Sequence, residues 1–164
     1  MFAYDPSEWT DLFVATAGAS AALAGLVFVA VSINVERILS YQGLPERALE
    51  TVLLLLDVLL ISIVSLIPGQ SHAALGAELF VVTFLFGAVI GNLTTIQEAR
   101  GDEPGRWRLG RWIVRIAGTV PLIIGSLCVL TASGGGLYWI VAGIVFAVAG
   151  AVTNAWVLLV EILR

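Results

Sequence analysis

At 164 residues, with 59% hydrophobic and only 12% charged side chains, the chain has room for one domain, too small to bury that much apolar surface in a core of its own. A bilayer is the solvent such a composition requires. The net charge of −4 is an average over segregated charges, since all eight basic residues are Arg and none is Lys, while a single His and a single Cys exclude an internal disulfide and a cysteine-based metal site.

The chain opens on Asp5-Pro6-Ser7-Glu8, which reads as a helix start: Asp5 as cap, Pro6 preorganised at the first helical position, Glu8 three residues after the cap. A cleavable secretory signal would begin with positive charge, whereas Asp5, Glu8 and Asp11 precede the apolar stretch, so the first helix is expected to stay attached. No lipidation box is visible. The first span is placed at about 12–35, a charge-free run of 24 residues against the roughly 20 needed to cross about 30 Å of hydrocarbon. Ala15, Gly18, Ala22 and Gly25 recur on it at intervals of three and four, forming a stripe that another helix backbone can approach.

Glu36 and Arg37 end that span, and Gly43-Leu44-Pro45 turns the chain into the second, at about 47–67. Glu46, Glu50 and Asp57 fall within about 40° of one another on it at 100° per residue, an acidic stripe that should face protein or water. Pro68 to His72 forms an external loop, in which His72 is read as a solvated residue in preference to a pH sensor. The third span is placed at about 74–96, with a Gly87/Gly91 pair on one side suited to close packing and Glu78 and Asn92 on the other suited to polar company.

The interval from Glu98 to Arg115 carries five of the eight Arg residues and predicts a cytoplasmic loop at about 97–111. The uncharged run from Ile116 to Val160, 45 positions, is about twice the bilayer thickness if helical and must fold back on itself. Ser133-Gly134-Gly135-Gly136 is the evident break, giving spans at about 111–131 and 137–162. Pro121 should kink the fourth, and in the fifth Gly143, Ala147, Gly150, Asn154 and Glu161 share a face. The predicted fold is therefore an all-α membrane protein, a bundle of five transmembrane helices in a single domain over 1–164. With the N-terminus outside and the C-terminus cytoplasmic, all eight Arg residues fall inside. Trp9, Tyr138 and Trp139 then mark the outer interface, and Trp107, Trp112 and Trp156 the inner one. The plasma membrane is the expected location.

No P-loop, GxSxG elbow or HExxH motif is present, so no catalytic residue, metal or cofactor is nominated. A carboxylate at mid-bilayer costs on the order of 2.5–3.5 kcal/mol, so Asp57 must be paired, protonated or wetted. Together with Glu50 it could line a cation or proton pathway in an oligomer, or it could sit neutral and hydrogen-bonded to a neighbouring helix, with Asn92, Asn154 and Glu78 as further intramembrane polar candidates. Arg115, one turn inside span four, is expected to pair with Glu50 or to snorkel to lipid phosphate. Arg106, Trp107, Arg108, Arg111 and Trp112 interleave guanidinium and indole groups, a pattern that fits interfacial anchoring, anionic headgroup binding or docking of a partner; nucleic acid is not expected.

The stretch WTDLFVATAGASAALAGLVFVAVSINVERIL, Trp9 to Leu39, resembles the first span of small integral membrane proteins of high-GC Gram-positive bacteria, some of them labelled modulators of a membrane-bound AAA protease. That resemblance implies a partner-modulating role and no catalytic residue. The repeated small-residue stripes on spans one, three and five point the same way, to a non-enzymatic protein that packs against copies of itself or a partner membrane protein.

Overall fold

The computed structural model describes residues 3–100 and 105–163, with side chains described over 3–95, 112–113, 115–158 and 160. Every element in it is helical. A short 3-10 turn at Pro6–Trp9 leads into α1 (Thr10–Ile33) and a six-residue α2 (Val35–Ser40), followed by α3 (Leu44–Ser65), α4 (His72–Arg100), α5 (Gly105–Leu130) and α6 (Leu137–Leu163). Among the described residues four helical stretches are long and apolar enough to cross a membrane: 6–33, 44–65, 72–95 and 137–158. The apolar part of α5, Arg115–Leu130, is shorter. These features make the chain a multi-pass helical membrane protein by length and composition.

The boundaries follow local chemistry. Asp5 caps the 3-10 turn, not α1, its carboxylate accepting from the Ser7 amide at 3.0 Å and the Ser7 hydroxyl at 2.6 Å. Gly43 adopts φ 82°, a left-handed turn open to a residue without Cβ, and Pro45 then occupies the first turn of α3. α5 continues as helix through Pro121.

Helices α3, α4, α5 and α6 form a closed ring in which each packs on the next and α6 returns to α3, while α1 lies outside the ring against α3. Burial measures the difference: 56% of the apolar stretch of α3 is enclosed, against 11% of that of α1. The main core is an apolar cluster running through Leu54, Leu55, Val58, Ile61, Leu75, Leu79, Leu122, Val129, Ile140 and Ile144, with Phe13 as the buried anchor of α1, and a smaller cluster gathers Ile38, Leu44, Ala48 and Leu158.

Glycines set the register. A Cβ at Gly76 would strike the Leu130 backbone, at Gly87 the Thr119 methyl, and at Gly91 the Arg115 guanidinium, so equal steps down α4 meet equal steps back along α5, an antiparallel pair at backbone contact. The same holds between α5 and α6, where Gly118 meets Ala147, Leu122 meets Gly143 and Gly125 meets Ile140. The bundle's far end from the Arg-rich interval is tied by the N-terminal segment: the Leu137 amide donates to Ala3 O at 2.8 Å, the Gly135 amide donates to the Tyr4 hydroxyl at 3.1 Å, and Trp9 packs edge-on against Tyr138 at 4.8 Å.

Candidate functional site

Each stripe read from the sequence now has a location. On α4 and α6 the small residues are spent inside the chain: Gly87 and Gly91 admit α5, and Gly143, Ala147 and Gly150 are buried, Gly143 and Ala147 against α5. This corrects the expectation that all three stripes stand ready for another molecule. The α1 stripe is different. Ala15, Gly18, Ala22 and Gly25 are exposed, and a Cβ built at Gly18 or Gly25 meets nothing within 4 Å. α1 turns its other side to α3, burying Phe13 and Ser20 and half-burying Leu23, Val27 and Val31 at helical spacing. Two of its hydroxyls are silenced by their own helix, Thr16 donating to Leu12 O at 2.6 Å and Ser32 to Phe28 O at 2.8 Å, so neither presents an unmet donor to lipid. Between α1 and α6 lies an apolar groove of about 270 Å³, walled by Leu23, Val27, Ala151 and Ala155, with Leu55 of α3 among its lining residues and Leu26 and Trp156 exposed along it.

The acidic stripe points inward. Glu50 and Asp57 are 4% and 5% exposed, on the helix most surrounded by protein. Neighbouring buried hydroxyls on α3 bond to their own backbone, Thr51 to Arg47 O, Ser62 to Val58 O and Ser65 to Ile61 O, each at 2.8 Å. Asp57 Oδ1 is enclosed with no hydrogen-bond partner among the described residues, and so is Thr83 Oγ1 on the adjacent α4. At 1.5 Å per residue, Asp57 and Thr83 lie about 12 Å and about 16 Å from the 66–71 turn, within one helical turn in height. Thr83 was not singled out from the sequence, because a lone threonine in an apolar run carries no pattern.

The remaining candidates do not converge on Asp57. Glu78 is exposed near the 66–71 turn and accepts from Gln70 Nε2 at 2.5 Å, Asn92 is exposed on α4, and Asn154 is half-buried towards the Arg-rich end of α6. His72 is exposed at the start of α4. Arg115 reaches α4: its Nη1 donates to Thr94 Oγ1 at 2.5 Å and its Cζ lies 4.8 Å from the centre of the Trp112 ring. Glu50 is diagonally across the ring from it, since α3 and α5 are separated by α4 on one side and α6 on the other. Trp112 is exposed, whereas the side chains of Arg106, Trp107, Arg108 and Arg111 lie outside the described residues. Among the described residues no group of three or more His, Cys, Asp or Glu is placed to hold a metal.

Compared with protein-family models, curated proteins and solved structures, the chain matches none.

Proposed function

We propose that this is a non-enzymatic protein of the plasma membrane, crossing it five times with the N-terminus outside and the C-terminus in the cytoplasm, and acting through helix packing with a second copy or a partner membrane protein. One observation carries the reading: of the small-residue stripes, that of α1 alone is left open, with nothing within 4 Å of a Cβ at Gly18 or Gly25, on the least enclosed of the four long apolar helices. In hydrocarbon, association is driven by close van der Waals approach, and such a face is where a foreign backbone fits. The arrangement matches an accessory or modulator role such as the resemblance of the first span implies. The orientation is supported by the partition it gives, with all eight Arg residues on one side, and α5, a helix of 26 residues whose apolar part is the shorter Arg115–Leu130, would be the fifth crossing. The test is size analysis in mild detergent with crosslinking: wild-type protein runs as a defined assembly, and Gly18→Leu with Gly25→Leu runs as a monomer. A clean wild-type monomer with no crosslinked partner refutes it.

An oligomeric cation or proton pathway lined by Asp57 and Glu50 is the second reading, favoured by the enclosed, unsatisfied Asp57 oxygen. The burial of both carboxylates inside the ring disfavours a pore on an axis between copies, so any conduction would run within one bundle. Purified protein in liposomes would then dissipate an imposed gradient, and Asp57→Asn would abolish the flux.

A further inference from the structure

Arg115 sits in a built seat. The missing side chain at Gly91 lets the guanidinium lie against the α4 backbone, because a Cβ there would collide with Nη2. Thr94 Oγ1 fixes Nη1 at 2.5 Å, and the Trp112 ring 4.8 Å from Cζ restricts the guanidinium further by a cation–π contact. Thr94 is one turn beyond Gly91 along α4 and Trp112 one turn before Arg115 along α5, so in this antiparallel pair both contacts draw the cation the same way, towards the Arg-rich end of the bundle. That is also the direction in which a helical side chain leans, towards the N-terminus of its own helix. Ile113 and Ile116 beside it are exposed, and each contact Arg115 makes among the described residues is with a neutral group.

We propose that Arg115, positioned by Thr94, Trp112 and Gly91, binds the phosphate of an anionic phospholipid in the leaflet at the Arg-rich end of α4 and α5. Five N–H donors sit on a guanidinium, and one is spent on Thr94, which leaves a planar fork suited to two phosphate oxygens. A charge at this depth whose contacts among the described residues are all neutral is costly, and a phosphodiester supplies both a counter-charge and acceptors. The inference rests on the membrane reading and not on association through α1.

Native mass spectrometry from nanodiscs containing phosphatidylcholine and phosphatidylglycerol tests it. Wild-type protein retains phosphatidylglycerol preferentially; Arg115→Gln weakens that retention about tenfold and Arg115→Lys less, whereas Arg108→Gln, which removes a charge from the same interval, changes it less than about twofold. Equal retention by wild type and Arg115→Gln overturns the proposal, as does an equal fall with Arg108→Gln, which would mean general attraction to the polybasic interval. If Arg115→Gln does not fold, Thr94→Val keeps the charge and frees the guanidinium, and retention unchanged from wild type overturns the proposal in its place. Inorganic phosphate added to detergent-solubilised protein separates the sources: a rise in melting temperature without any phosphatidylglycerol preference assigns the seat to a soluble phosphate and refutes the lipid. A chain that stayed dissolved without detergent would instead sink the membrane reading itself.

Discussion

Replacing Gly76 by Ala places a methyl group 2.6 Å from Leu130 Cα and 2.8 Å from Leu130 Cβ, with the Leu130 backbone nitrogen closer still. The obstructing atoms are backbone, so no rotamer change relieves the overlap, and α4 must move away from α5 along an interface whose next contacts, Gly87 with Thr119 and Gly91 with Arg115, share the same register. Overpacking of this kind costs about 1–3 kcal/mol. Exchanging a helical Gly for Ala returns about 0.5–1 kcal/mol. The balance is a loss of about 0–2.5 kcal/mol, centred on about 1. Gly18→Ala makes the same chemical change on α1, where a Cβ meets nothing, and is expected to be neutral or stabilising by up to about 1 kcal/mol. Equilibrium unfolding by SDS titration in mild detergent, followed by circular dichroism and Trp fluorescence, measures both. Midpoints that move together, or a Gly76→Ala protein at least as stable as wild type, would refute the assignment of this stripe to an internal contact.

Gly136→Ala is expected to release the N-terminal tie, since the new methyl would overlap Ala3 O and the Tyr4 ring at a backbone with φ 40°; faster hydrogen exchange at the Leu137 and Gly135 amides, with the α4–α5 interface unchanged, is the readout. Asp57→Leu removes a buried oxygen that has no hydrogen-bond partner among the described residues and is expected to leave stability unchanged or raise it by about 1–2 kcal/mol, whereas a large loss would indicate that Asp57 is held by a partner. The Ser7 hydroxyl first, and the Ser7 amide second, hold the exposed Asp5 carboxyl below its ordinary value. A lowered folded-state value means that this cap is at full strength above about pH 4, the unfolded carboxylate value, and fades as pH falls through the folded one. Exchange at the Ser7 amide should accelerate, relative to the intrinsic rate, over that acidic window in wild type, and should show no such dependence in Asp5→Asn.

Much of the architecture was legible in residue order. Hydrocarbon forbids unsatisfied backbone, so an uncharged run of the right length has to be a helix, and two of the breaks fall at turn-forming residues: Pro45 lies in the first turn of α3 and the 133–136 stretch separates α5 from α6, with 137 as the first residue of α6. The acidic stripe of Glu46, Glu50 and Asp57 was read only as facing protein or water; Glu50 and Asp57 are buried and Glu46 is half-buried. Other features depend on residues far apart in the chain. The tie of Ala3 and Tyr4 to the loop before α6 has no local signature, nor does the meeting of Thr94 with Arg115, although Gly91 leaves a notch that only a long side chain on a facing helix can fill.

Composition and hydropathy by themselves determined that this is a helical membrane chain and where its apolar runs lie, but not where every helix ends: α4 runs to Arg100 and α5 starts at Gly105, inside the interval expected to be a loop at about 97–111. Which helix faces are buried was decided only by the tertiary structure. The reason is that lipid and protein interior are equally apolar, so hydrophobicity does not distinguish a face packed on a neighbour from a face open to the bilayer. A stripe of small residues records that a backbone can come close, and it is the packing of α5 between α4 and α6, with α1 left outside the ring, that determines where one does.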